Sequence, residues 1–155
     1  MSVNDSPTTI GTFFSAIITR LSTQLSVASN RIFVVDKLRL IDPNVPNFQI
    51  EPVRMIVMGD ECGLNAFQLD FSVHAVTKTE YDYSDKPTQK LVRATSQKGA
   101  FQYATDVASA LNKHEPAGAE NIVIMSITNG GVDQATGMSH ATATFRTMLR
   151  VFADG

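Results

Sequence analysis

Apolar positions fall into two periodicities along this chain. From Ile10 onward, Ile10, Phe13, Phe14, Ile17, Ile18, Leu21 and Leu25 recur at steps of three and four, one apolar stripe on an amphipathic helix over residues 10–25. Ser6-Pro7 supplies a candidate cap and a first-turn proline ahead of it. Period-two runs follow. Residues 31–35 (Arg-Ile-Phe-Val-Val) form a short β-branched strand, and residues 42–47, with two prolines, an extended loop. Residues 53–58 (Val-Arg-Met-Ile-Val-Met) are almost wholly apolar, which predicts a central strand. A turn at residues 59–63 leads into the clearest alternation in the sequence, residues 66–77. Phe67, Leu69, Phe71, Val73 and Ala75 share one face there, and Gln68, Asp70, Ser72 and His74 the other. These two runs predict an antiparallel hairpin.

A polar, acidic loop spans residues 81–87, and a second amphipathic helix spans residues 95–113, with Phe101, Ala104, Val107, Ala108 and Leu111 on one side. Gly99 falls in its first turns, where glycine costs about 1 kcal/mol relative to alanine. Residues 114–118 end the helix, residues 122–127 form a strand, and Asn129-Gly130-Gly131 opens a flexible connection through Gly137. The last strand covers residues 141–153, with Ala143, Phe145, Leu149 and Val151 inward and Thr142, Thr144, Arg146, Met148, Arg150 and Phe152 outward. The order helix, strands, helix, two strands predicts an α+β fold: a mainly antiparallel sheet of about five strands with two helices packed on one face. At 155 residues the chain reads as one domain.

Composition narrows the function more than the fold. The chain is 43% hydrophobic and 18% charged, with a net charge of −2. No basic excess is present to neutralise a nucleic-acid backbone over a broad face. The single cysteine, Cys62, cannot close an intrachain disulfide. The first residues carry no lysine or arginine, unlike a signal peptide, and the apolar stretch of residues 10–25 is too often interrupted to span a membrane. A protein made and kept in a cytoplasm is the expectation.

Catalytic patterns are missing. His74, His114 and His140 have no histidine or cysteine at metal-ligand spacing, so no metal and no cofactor is expected. There is no nucleophile elbow, phosphate-binding glycine loop or dinucleotide fingerprint, and Asn129-Gly130-Gly131 lies between β runs, where a turn fits better than a phosphate cradle. The sequence does not read as an enzyme. Had it been one, His74 or His140 with Asp70 would be the site, which requires His74 and Asp70 to converge in a closed pocket. Interaction features are stronger. Arg146, Met148, Arg150 and Phe152 line one face of the last strand, a composition found in protein interfaces. That face is an interface, or it lies under the chain's own helices, or it is solvated. Tyr81, Asp82, Tyr83 and Asp85 form an acidic, tyrosine-bearing loop that is either a contact loop or a solvated one.

Taken together, the N-terminal helix (Phe13 to Leu21), Arg31-Ile-Phe33, the entry Pro52-Val-Arg-Met-Ile-Val57, the alternating strand, the helix ending Ala108-Ser-Ala-Leu-Asn112 and the last strand Thr144-Phe-Arg-Thr-Met-Leu-Arg-Val151 resemble the tail terminator (tail completion) proteins of long-tailed bacteriophages. The resemblance spans nearly the whole chain and rests on element order and size. It implies a structural virion protein at the head–tail junction. Copies form a ring, usually a hexamer, that caps the tail tube, ends its polymerisation and joins the head connector, while DNA passes through without specific binding. On this reading Arg146, Met148, Arg150 and Phe152 face a subunit or tube contact. Tyr81, Asp82, Tyr83 and Asp85 face the lumen or the tube end, where acidic groups repel DNA. The expected partners are copies of the chain, a tail tube protein and a connector protein, and no membrane. Another neck or tail-tube ring protein is the alternative within the class; a small cytosolic α+β enzyme is the alternative outside it.

Overall fold

The computed structural model describes residues 8–40, 46–61, 64–78, 99–133 and 135–152. The first helix, α1 (Ile10–Leu25), follows the apolar stripe, and it buries Phe13, Phe14, Ile17 and Leu21. Its N-cap is Thr9, whose Oγ1 accepts from the Thr12 N–H at 3.1 Å, a contact worth about 1 kcal/mol. Ser26 closes the helix in the left-handed region (φ 55°). The proposed Ser6-Pro7 cap lies outside the described residues. A single 3₁₀ turn (Ser29–Arg31) leads into β1 (Ile32–Val34).

Four longer strands complete one sheet: β2 (Asn47–Glu61), β3 (Leu64–Lys78), β4 (Val123–Asp133) and β5 (Met138–Phe152). The strand order is β1-β2-β3-β5-β4, antiparallel throughout except that β1 runs parallel to β2. The second helix, α2 (Ala100–Leu111), sits between β3 and β4 in the chain. Its N-cap is Gly99, outside the helical turns, where glycine is nearly neutral; the cost expected of a glycine inside the first turns does not arise.

Alternation makes the core one-sided. Leu69, Phe71, Val73 and Ala75 of β3 and Ala141, Ala143, Phe145, Leu149 and Val151 of β5 join the apolar faces of both helices in one buried cluster. Phe71 is its hub, edge-on to Phe13 and Phe14 and stacked on Phe145 at 5.3 Å between ring centroids. Each fully buried side chain of this size contributes about 1.5–3 kcal/mol. The Arg20 Nε–H donates to the Ala110 carbonyl at 3.0 Å, tying α1 to the last turn of α2. The α+β architecture, the β2–β3 hairpin and the helices on one face are as the sequence predicts.

Two local expectations are corrected. Residues 53–58 are not central. β1 pairs only with Phe48, Gln49 and Ile50, so the rest of β2 has no strand on that side among the described residues. Nor does a flexible connection begin at Asn129. β4 continues to Asp133, with a bulge at Gly130 that sets the glycine against the His140 ring.

Candidate functional site

The face of the sheet opposite the helices carries the polar half of the alternation. On β5, Thr142, Thr144, Arg146, Met148 and Arg150 are half-buried there, while the residues between them are buried on the core side. One row crosses four strands: Arg54, Asp70, Arg146 and Val123. The Asp70 carboxylate accepts from Arg146 at both oxygens, Oδ1 from Nε at 2.8 Å and Oδ2 from Nη2 at 3.2 Å. Its Oδ2 also accepts from Arg54 Nη2 at 3.2 Å. The Arg146 guanidinium, more than the opposing effect of burial and together with Arg54, holds the Asp70 carboxyl below its usual value.

Farther along the same face, His74 bridges two strands. Its Nδ1 lies 2.6 Å from Thr142 Oγ1 and its Nε2 3.0 Å from Glu51 Oε1. Ser72 and Thr144 meet at 3.2 Å in the next row. His140 packs against Gly130, and its buried Nδ1 has no hydrogen-bond partner among the described residues. Burial, with His74 as a second cause, pushes the His140 imidazole below its ordinary value. Gln49 is also buried on this face. Its amide accepts from the Arg39 N–H at 2.8 Å and donates to the Arg39 carbonyl at 2.7 Å, pinning the chain after β1 onto β2.

The predicted site residues are thus placed unevenly. Arg146, Met148 and Arg150 share the outer face, as the alternation requires, with Met148 opposite Gln68 and Arg150 opposite Ala66. Arg146 is matched within the chain, so any contact it makes is made by the Arg54–Asp70–Arg146 unit and not by a lone cation. The backbone of Phe152 pairs with Leu64 at the end of β5. Tyr81, Asp82, Tyr83 and Asp85 lie outside the described residues. His74 and Asp70 share a face, but they do not form a common site. His74 engages Glu51 and Thr142, whereas Asp70 engages two arginines. Among the described residues no group of three or more histidine, cysteine, aspartate or glutamate side chains is gathered to hold a metal. No helix among them is long and apolar enough to cross a membrane.

Sequence reasoning missed a second surface. Val53, Met55, Ile56, Val57 and Met58 are all exposed on β2, with Val57 at 70%. Val123, Met125 and Val132 are exposed on β4, the opposite edge of the sheet. No local signal could have found it, because the run 53–58 is as apolar as a strand buried within its own sheet. In the structure the three-residue β1 leaves most of β2 at an edge.

No protein-family model matches the sequence, and no curated protein matches it. Among solved structures, the fold is similar to that of a chain in the particle described as "Virion of native gene transfer agent (GTA) particle". That similarity has a TM-score of 0.51 at 11% sequence identity, and it covers 90% of this chain and 96% of the other. At this identity it is a likeness of fold.

Proposed function

We propose that this chain is a structural subunit of a phage-like virion, and within it a tail terminator: a ring of copies, six by the family resemblance, that caps the tail tube, stops its growth and joins the head connector. The observation that carries the reading is the end-to-end fold likeness to a virion chain of nearly the same extent. The open apolar edges of the sheet support it, because a subunit that assembles has a use for surface that a monomer would hide. The separate engagements of His74 and Asp70 weigh against the enzyme alternative.

In this reading the outer face around Arg146, Met148, Arg150 and Phe152 meets a neighbouring subunit or the tube. The loop bearing Tyr81, Asp82, Tyr83 and Asp85 faces the lumen or tube end, where its carboxylates repel passing DNA. The partners are copies of the chain, the tube protein and the connector protein, with no cofactor. Electron microscopy of the purified protein tests the assignment. Discrete rings are the expected outcome. Long tubes would make the chain a tube subunit instead, because a tube protein polymerises on itself and a terminator stops at one ring.

A further inference from the structure

We infer that residues 53–58 of β2 dock against the β4 edge, around Val123 and Met125, of a second copy of this chain. The inference rests on the self-assembling reading above and names the surfaces that meet. Both strips are edges. β2 loses its only described neighbour on that side after Ile50, and β4 has no described strand beyond it. Both are apolar where they are open: Val53 is 53% exposed and Met58 54% on one edge, and Val123 49% and Met125 50% on the other. Three of these residues sit at bulges. The ladder slips between Pro52 and Arg54, between Val57 and Gly59, and between Ile124 and Ser126, which places Val53, Met58 and Met125 out of register. A bulge bends its strand and re-aims a side chain, so it works against bare edge-to-edge hydrogen bonding. The contact is therefore one of interlocking valine and methionine side chains, and methionine adapts readily to an irregular surface.

Two features select a second copy, in a head-to-tail arrangement. The strips lie on opposite edges of one sheet, so they cannot cover each other within one chain; one repeated contact between copies covers both. Charge points the same way. Arg54 is the only charged residue of residues 53–58, its side chain is 58% exposed, and its row with Asp70 and Arg146 is net positive. The β4 strip has no charge from Val123 to Val132, and the exposed Glu120 precedes it. A β2-to-β2 pairing would set two positive rows together and leave β4 uncovered. Such a head-to-tail contact is heterologous, the kind that closes into a ring when its rotation allows.

The test uses two populations of the full chain, both with Cys62→Ser, one carrying Val57→Cys and the other Met125→Cys. They are mixed at concentrations spanning the assembly range and treated with a short bismaleimide. The expected result is a covalent dimer in the mixture and little in either population alone. Val57→Asp and Val123→Asp should each shift light-scattering mass toward the monomer with an unchanged circular dichroism spectrum. Equal cross-linking of the Val57→Cys population alone would overturn the head-to-tail geometry. An oligomer that gives no cross-link in the mixture would overturn the edge contact and leave the self-assembling reading standing. A monomer at every concentration would overturn both.

Discussion

Asp70 shows how one outer-face residue binds three strands together: it sits on β3 and accepts from Arg54 of β2 and Arg146 of β5. Replacing it by Asn leaves two guanidinium groups with one neutral amide oxygen in place of a carboxylate, while their partial exposure to water limits the loss. Asp70→Asn should therefore lower Tm by a few degrees at neutral pH. The sign of the pH dependence follows from the depressed carboxyl. Its stabilising contribution is fully present above the ordinary aspartate pKa of about 4 and is lost as pH falls through the lower folded value. The gap in Tm between the native chain and Asp70→Asn should close in strong acid. A separate step belongs to the imidazoles. Burial depresses His114, with Arg20 as a second cause, and His140, with His74 as a second cause. The unfolded chain then binds more protons below about pH 6.5, and both proteins lose stability there. Thermal melts across pH check both statements. In the sequence, Asp70 and Arg146 are recognisable as outer-face residues because alternation fixes the face. Their pairing is not, because 76 positions separate them and only the β3–β5 register brings them together.

β3 and β4 mark the two ends of what element-scale reasoning reaches. Each face of β3 has a single environment, so Phe67 to Ala75 alternate cleanly and both faces were legible. β4 contains Asn129-Gly130-Gly131, a local turn signal, yet the ladder with β5 carries it through to Asp133. Tertiary pairing overrides the local preference there, and the bulge at Gly130 accommodates the His140 ring in space that a side chain would fill. Gly130→Ala should destabilise the protein by about 1–3 kcal/mol, the usual cost of overpacking. His140→Ala in the same chain should recover much of that loss. Denaturant unfolding of the two single variants and the double variant measures the coupling, and additive effects would contradict the packing argument. β2 failed for a different reason. An apolar run reads alike whether it is covered by its own fold or by another molecule, and only strand order separates the two.

At the scale of the molecule, the α+β order of elements was readable because each helix and most strands carry their own periodicity. What covers the open edges was not, because no local pattern encodes a neighbouring copy. The sheet ends in two apolar edges of different composition, and its helices occupy only one face. In the proposed assembly such a shape is completed by a repeated contact between copies. The near-neutral charge fits the proposed role, in which the partners would be copies and a protein tube and DNA would pass without being gripped. The most direct measurement is the native mass of the purified chain over a range of concentrations. A discrete, closed species is expected at a small multiple of 16.9 kDa, six by the family resemblance, that does not grow further as concentration rises. A mass that stays at 16.9 kDa throughout would contradict the proposed assembly.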